Sequence, residues 1–331
     1  MAVYDQNLIS QELQDIPYGN IKIVGKSSLN TDIFPQNMNF QSKINGTGKA
    51  TILPLFPGCF MTFFTFQANS LSGYHPAYES LIQIDFCQHG RLEWELDPSS
   101  HIYLGSGDLS VHRMDNCVHS TLCFPLGYYK GISLFVAPEY LEHALSKYPL
   151  EKNISNLSWI ADLCHDENFF VLSGNEQIGS LFFGIDKISS KIQNSICKLK
   201  VLELFLYLST LPDSHAKTPS SYPSEQTELI QKIHEYMMQN LGERITIEQL
   251  SKQFLVNTST LKEVFKAVYG DSIAAHMKEH RFKEAARLLK ETNDSVSQIA
   301  KCVGYESQSK FSIAFKEIFH VSPSEYRKPE K

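Results

Sequence analysis

The strongest constraint on this chain is a degenerate repeat in its last hundred residues. Ile247, Leu250, Ser251 and Phe254 recur 49 residues later as Val296, Ile299, Ala300 and Val303. Leu261, Phe265 and Lys266 recur 50 residues later as Phe311, Phe315 and Lys316. Within each copy the apolar positions return at i, i+3 and i+4, which predicts a short helix, a turn and a longer helix. The slip from 49 to 50 places one extra residue in the second turn. Two helix-turn-helix units are therefore expected at about 247–268 and 296–319. Ala300 is small where two helices must cross closely, and Gly304 can take a left-handed φ in its turn. Thr258 and Ser307 follow the turns, where a hydroxyl can cap the next helix. Leu255 stands where the second copy has Gly304, and an L-residue in that conformation costs roughly 1–2 kcal/mol. The first turn is therefore either strained or differently built, with Asn257 taking the positive φ.

The outward faces of the two longer helices carry the chemistry. The first presents Thr258, Ser259, Lys262 and Glu263, and the second Ser307, Gln308, Ser309 and Lys310. Short hydroxyls, glutamine and lysine are groups that reach base edges and phosphates in a major groove. Between the copies, residues 272–290 read as one helix with Ile273, Met277, Ala285, Leu288 and Leu289 inward. Such a rod fixes the spacing of the units, and entry into successive major grooves requires about 34 Å. The net charge of −6 does not oppose this reading once the chain is divided. Residues 1–224 carry 14 Lys and Arg against 21 Asp and Glu, whereas 225–331 carry 16 against 15. The acidic excess lies upstream, and a near-neutral domain can hold phosphate if its basic groups share a face.

Upstream the pattern changes. From about Ile52 to Val136 short alternating runs predict strands, among them residues 80–86 with Ile82, Ile84 and Phe86 on one face. Residues 91–96 alternate Leu92, Trp94 and Leu96 against Arg91, Glu93 and Glu95. Gln88-His89-Gly90 reads as a hairpin turn between them, and Ser106-Gly107-Asp108 as a turn before Leu109. Many short strands with such punctuation predict a sandwich or barrel. Residues 138–211 read as helical, with Ile185, Ile192, Leu199 and Leu206 spaced by seven. That row belongs either to a helix packed on its own domain or to a dimerisation helix. Residues 212–224, with three prolines and four serines, read as a linker.

The C-terminal segment resembles the DNA-binding domain of the AraC/XylS family of regulators. The matching residues are Arg281, Phe282, Ala285, Leu288 and Leu289, then Ile299, Ala300 and Val303 through Ser307. Phe311, Phe315, Lys316 and Pro323 through Arg327 complete the match. Tyr103 through Leu109 resembles the cupin-like sensor barrel of that family, and Phe124 through Ile132 its siderophore-responsive subset. The resemblance implies double-stranded promoter DNA as a partner, RNA polymerase too if the chain activates, a small-molecule effector and a homodimer. The expected architecture is α+β, with a cupin-like sensor domain at 1–136 and a helical dimerisation or relay segment at 137–211. The linker at 212–224 then leads to an all-α DNA-binding domain at 225–331.

Other chemistries leave weaker traces. Tyr74, His75, Arg91, Trp94 and Tyr128 are the candidates for an effector pocket, as aromatic and polar groups of the β-rich part. A metal-dependent barrel enzyme fused to a DNA-binding domain is the alternative. It lacks a His-x-His pair here, and His75, Glu79, His112, Cys117, His119 and Cys123 are too loosely spaced for a zinc site. No Gly-rich phosphate loop or nucleophile elbow is present, so no enzyme, cofactor or metal is expected. The N-terminus lacks a secretory pattern, and Leu53–Phe66, with Pro57 and Gly58 inside it, is too short to span a bilayer. Seven cysteines suit a reduced, cytoplasmic protein.

Overall fold

Pro57 and Gly58 turn the apolar Leu53–Phe66 stretch back on itself. It forms the hairpin between β2 (Lys43–Phe56) and β3 (Cys59–Tyr74), in register from Phe56 opposite Cys59 to Lys43 opposite Ser72. The computed structural model describes residues 9–25, 43–74, 81–97, 100–115, 119–147, 156–164, 169–185, 188–211 and 221–328. They form two units, Met1–Tyr222 and Pro223–Lys331. The first is β-rich with packed helices and the second is helical.

In the first unit β1 (Ile21–Val24) runs parallel to β2. Beyond β3, the strands β7 (His119–Cys123) and β8 (Tyr129–Val136) both pair with it, and both pair with β4 (Ile82–Asp97) on their other side. The far side of β4 is shared by β5 (Ser100–Gly105) and β6 (Leu109–Arg113). Strands β9 (Phe169–Leu172) and β10 (Ser221–Tyr222) then add to β6 and β5.

The expected hairpin turn at Gln88-His89-Gly90 is a β-bulge within one long strand. Register slips between Cys87 and His89, and Gly90 takes φ +88°. A hairpin would end the ladder there. The bulge instead bends β4, so its first half pairs with β6 and its second with β5. The turn at Ser106-Gly107-Asp108 is as read, closed by the Asp108 amide bonding the Gly105 carbonyl at 3.0 Å.

One face of this sheet is buried under helices. Ile82, Ile84, Phe86, Leu109, Val111, Ile132, Leu134 and Val136 form one core with side chains of the helices that follow. These helices are α1 (Pro138–Leu145), α2 (Ser158–Asp162), α3 (Glu176–Phe182) and α4 (Ser190–Ser209). The stretch read as helical throughout also contributes β9 to the sheet, because Phe169–Leu172 is short, apolar and β-branched enough to extend it. α4 buries Cys197, Val201, Leu204, Phe205 and Leu208. Ile185 lies outside α4 and is buried, whereas Ile192, Leu199 and Leu206 are 54%, 62% and 39% exposed. Of the expected linker, residues 212–220 lie outside the described residues, while Ser221 and Tyr222 form β10 and Ser224 opens a helix.

The second unit contains α5 (Ser224–Gln239), α6 (Ile247–Gln253), α7 (Thr258–Tyr269), α8 (Ile273–Glu291), α9 (Val296–Cys302), α10 (Gln308–Phe319) and α11 (Pro323–Tyr326). α5 packs on α7, with Ile230, Ile233 and Met237 buried opposite Leu261, Val264, Phe265 and Val268. The C-terminal half of α8 packs with α9 and α10 around Phe282, Ala285, Leu289, Ile299, Ala300, Phe311 and Phe315. α8 is continuous over 19 residues, which is about 28 Å of helix.

Candidate nucleic-acid interface

Each short–long helix pair is built by the same local devices. α6 begins at Thr246, whose hydroxyl accepts from the Gln249 amide at 3.2 Å, while the Gln249 side chain accepts from the Thr246 amide at 2.7 Å. α9 begins at Ser295 with the same reciprocal pair to Gln298, at 3.2 and 2.8 Å. These capping boxes are again 49 residues apart and satisfy amides that a helix start leaves open. In the turns the Val256 amide bonds the Ser251 carbonyl and the Tyr305 amide bonds the Ala300 carbonyl, at 3.1 and 2.8 Å. The longer helices are then capped by Asn257, accepting from the Thr260 amide, and by Ser307, accepting from the Lys310 amide. Asn257 and Ser307 are 50 apart, so the extra residue falls between Gly304 and Ser307. Ser307 caps as read, but Thr258 is the first residue inside α7 and Asn257 does the capping.

Leu255 itself takes the left-handed conformation, with φ +53°, and Asn257 does not, with φ −70°. The leucine side chain is 93% exposed, so no packing contact adds to that local backbone cost. Gly304 has φ +82°, and a Cβ there would lie 2.9 Å from the Gly242 carbonyl oxygen and 3.1 Å from Arg281 Cζ. That corner is closed by Arg281, whose Nε donates to the Leu241 carbonyl at 2.8 Å. The chain thus packs too tightly for any side chain at Gly304.

With inner faces committed to the cores, the expected groups stand on the outside. Ser259, Lys262 and Glu263 are exposed and Thr258 half-buried on α7. Gln308, Ser309 and Lys310 are exposed on the first turn of α10, next to the half-buried Ser307. The second longer helix also presents Ile313, 64% exposed and one turn beyond Ser309. An apolar side chain there is suited to a thymine methyl. Its apolar character hid it, because in an amphipathic pattern isoleucine is assigned to the core.

The candidate effector residues are not gathered at one point. Trp94 is buried in the core lined by Phe66, Leu92, Leu104, Phe124 and Tyr129, with its ring edge-on to His112 at 5.2 Å. Arg91, three residues earlier on β4, lies on the opposite strand face, against Gly105 and over the Tyr103 ring at 5.7 Å. Tyr128 is buried beneath Ile9, Leu13 and Ile16. Tyr74 ends β3 opposite His119, with its side chain outside the described residues, as are His75, Glu79 and Cys117.

A different set of polar groups does converge in this unit. Thr62 pairs with Ser133, Ser133 with Asp85, and Asp85 with Ser110, so one row crosses four strands. All four are buried, as is His112, two residues along β6 on the same face, with Nδ1 3.6 Å from Asp85 Oδ2. Ser133 and Gln83 donate to Asp85 Oδ1. Burial nonetheless raises the Asp85 carboxyl to about 6, outweighing the two hydrogen bonds that lower it. Alternation along Ile82–Phe86 places Gln83 and Asp85 where a solvent-facing row is normally read, and only the folding of the sheet buries it.

Repeated, capped helix pairs with apolar inner faces and small polar outer faces make the second unit a helix-turn-helix DNA-binding domain. Residues 250–329 match the family described as the helix-turn-helix domain. Over 82 residues the chain is 37% identical to the transcriptional regulator AlkR of Acinetobacter baylyi, covering 25% of this chain and 27% of that protein. It is 39% identical over 83 residues to a putative AraC-like regulator of Streptomyces lividans, with 25% and 27% covered. It is 30% identical over 98 residues to the multiple antibiotic resistance protein MarA of Salmonella typhimurium, covering 30% of this chain and 77% of MarA. The chain belongs to the AraC/XylS family of helix-turn-helix transcription regulators. It spans about a quarter of the length of the first two relatives, so these likenesses concern the C-terminal unit.

Proposed function

We propose that the chain is a sequence-specific transcription regulator that reads promoter DNA with two helix-turn-helix units and is controlled by a small molecule in its first unit. The observation that carries it is the pair of outward faces, Thr258, Ser259, Lys262 and Glu263 on one helix and Ser307 through Lys310 on the other, held on helices with side-chain caps that α8 joins. In the major groove Gln308 reads a base and Lys262 takes a phosphate. Footprinting of the full chain on DNA upstream of adjacent genes tests this. Salt-dependent protection of a defined site is expected, and equal affinity for any sequence would overturn it.

The first unit is read as a cupin-like sensor. The buried row Thr62–Ser133–Asp85–Ser110 with His112 and the wall of Trp94 supports a polar ligand held in its interior. The resemblance of residues 124–132 to the siderophore-responsive regulators supports an effector of that kind. A ligand shifts DNA binding only through unequal affinity for two arrangements, typically about 1–3 kcal/mol of coupling. Operator DNA must then alter effector affinity by the same factor. A ligand that binds tightly and leaves operator affinity and promoter output unchanged would refute the sensor reading.

The exposed row Ile192, Leu199 and Leu206 on α4 supports a homodimer. Seven-residue spacing keeps the three on one helix face, and a second copy offers the same row in return. Such a protein acts in the cytoplasm with promoter DNA and, as an activator, with RNA polymerase. Among the described residues no helix is long and apolar enough to cross a membrane.

A further inference from the structure

Three histidines from distant parts of the sequence meet inside the second unit. His234 lies on α5, and His276 and His280 lie one turn apart on α8. One ring nitrogen from each falls within 4.8 Å of the others, and His234 Nε2 is 2.9 Å from His276 Nε2. The ring centroids are 5.0, 5.8 and 4.5 Å apart for the pairs 234–276, 234–280 and 276–280. His276 is buried and the other two half-buried, so the group is largely shielded from open solvent.

We propose that His234, His276 and His280 form a binding site for a divalent transition-metal ion of the zinc, nickel or copper type, which ties α5 to α8. Histidines at i and i+4 project from one helix face, and a third from a facing helix completes a tripod. Tetrahedral zinc with bonds of about 2.0–2.1 Å holds its nitrogen ligands about 3.3 Å apart. The present 2.9 Å contact and 4.8 Å envelope bracket that spacing, so small ring rotations bring three lone pairs onto one ion. Imidazole is the ligand these borderline ions prefer over carboxylate-seeking magnesium or calcium.

The surroundings suit such an ion. Tyr269 stacks on His234 at 4.3 Å and lies 4.9 Å from His276, and Phe265 meets His276 edge-on at 5.4 Å. These rings fix the imidazole planes, as a metal site needs. The neighbouring charges are Glu279 and Lys283, paired to each other at 2.7 Å beside His280. At the 2.9 Å contact one Nε2 of the His234–His276 pair donates to the other, and the ion takes the place of that shared proton, which moves to a ring Nδ1. A fourth coordination position remains for water. The arrangement does not depend on the DNA-binding reading. It clamps α5, the helix on which α7 packs.

The test uses the full chain without a polyhistidine tag, freed of metal by chelation. Cobalt(II) is titrated first, because three imidazoles in a low-coordinate site give an intense visible band that hydrated cobalt lacks. One equivalent should bind, zinc should displace it, and the melting temperature should rise with zinc. His280→Gln and His234→Gln should each weaken binding at least about tenfold. Cys302→Ser, which removes the exposed thiol, should leave it unchanged. On the wild-type chain, zinc should protect His234 and His280 from diethyl pyrocarbonate, so the proposal remains testable if a variant misfolds. A weak band of octahedral cobalt, a stoichiometry insensitive to both glutamine variants, or zinc protection falling on other histidines would overturn it.

Discussion

Gly304→Ala is the sharpest perturbation available at the second turn. An alanine held at φ +82° costs roughly 1–2 kcal/mol over glycine. Its Cβ would also lie 2.9 Å from the Gly242 carbonyl oxygen and 3.1 Å from Arg281 Cζ, closer than packed atoms allow. Moving the guanidinium sacrifices its 2.8 Å bond to the Leu241 carbonyl, a charged hydrogen bond whose loss costs about 1.5–3 kcal/mol. The reduced freedom of the unfolded chain returns about 0.4–1 kcal/mol. The net destabilisation is about 2–4 kcal/mol. Hydrogen exchange in the full chain reads it locally: amides of α9 and α10 should exchange roughly 30- to 700-fold faster. Leu255→Gly, at the equivalent corner, should do the opposite. It relieves the same φ strain with no neighbour to disturb and should stabilise α6 and α7 by about 0–1 kcal/mol. Unchanged exchange in α9 and α10 for Gly304→Ala, or faster exchange in α6 and α7 for Leu255→Gly, would refute this account of the two turns.

Gln308→Ala should cost about 1–3 kcal/mol on the specific site and relax preference at one base. Lys262→Ala should weaken specific and random DNA alike and lower the salt slope by about one unit; identical losses on both DNAs for both variants would erase the distinction. Leu199→Glu should give monomers in sedimentation with an unchanged melting curve, because the side chain is 62% exposed; a destabilised dimer would defeat the dimer reading. The folded state holds the Asp85 proton up to about 6, whereas the unfolded chain releases it near the ordinary value of 3.8. Folding therefore takes up a proton between those values, and the stability of the first unit should fall as pH rises from about 4 to about 6. Asp85→Asn should flatten that segment of the melting-temperature profile, and an unaltered slope would remove Asp85 as its source.

The second unit was legible because its signals are local. Apolar spacing at 3.6 residues, a repeat offset of 49 and then 50, and hydroxyls at helix starts all act within a few residues of where they are read. Even so, the capping boxes Thr246–Gln249 and Ser295–Gln298 carry a short S/T-x-x-Q signature that could have fixed both helix starts. The first unit was read less well because its decisions are non-local. Gly90 reads as a turn from either side, and only the continuation of β4 between β8 and β5 makes it a bulge. Asp85 and Ser133 look solvent-facing by alternation until four strands enclose them. The histidine cluster divides the two cases. His276 and His280 have a visible helical spacing, but His234 joins them only because α5 and α8 both pack on α7.

Strand β5 has a consequence for how this protein is made and cut. On its outer side two of its six residues, Ile102 and His101, are covered by pairing with residues 221 and 222. A ribosome therefore releases β5 as a bare sheet edge and completes its covering only after more than a hundred further residues have emerged. Until then its unpaired amides and carbonyls offer a template for any other extended chain. A protein cut back to Leu211 would keep every described helix of the first unit yet leave that edge open, and it should clump on concentration. Cutting after Tyr222 should leave the same unit soluble.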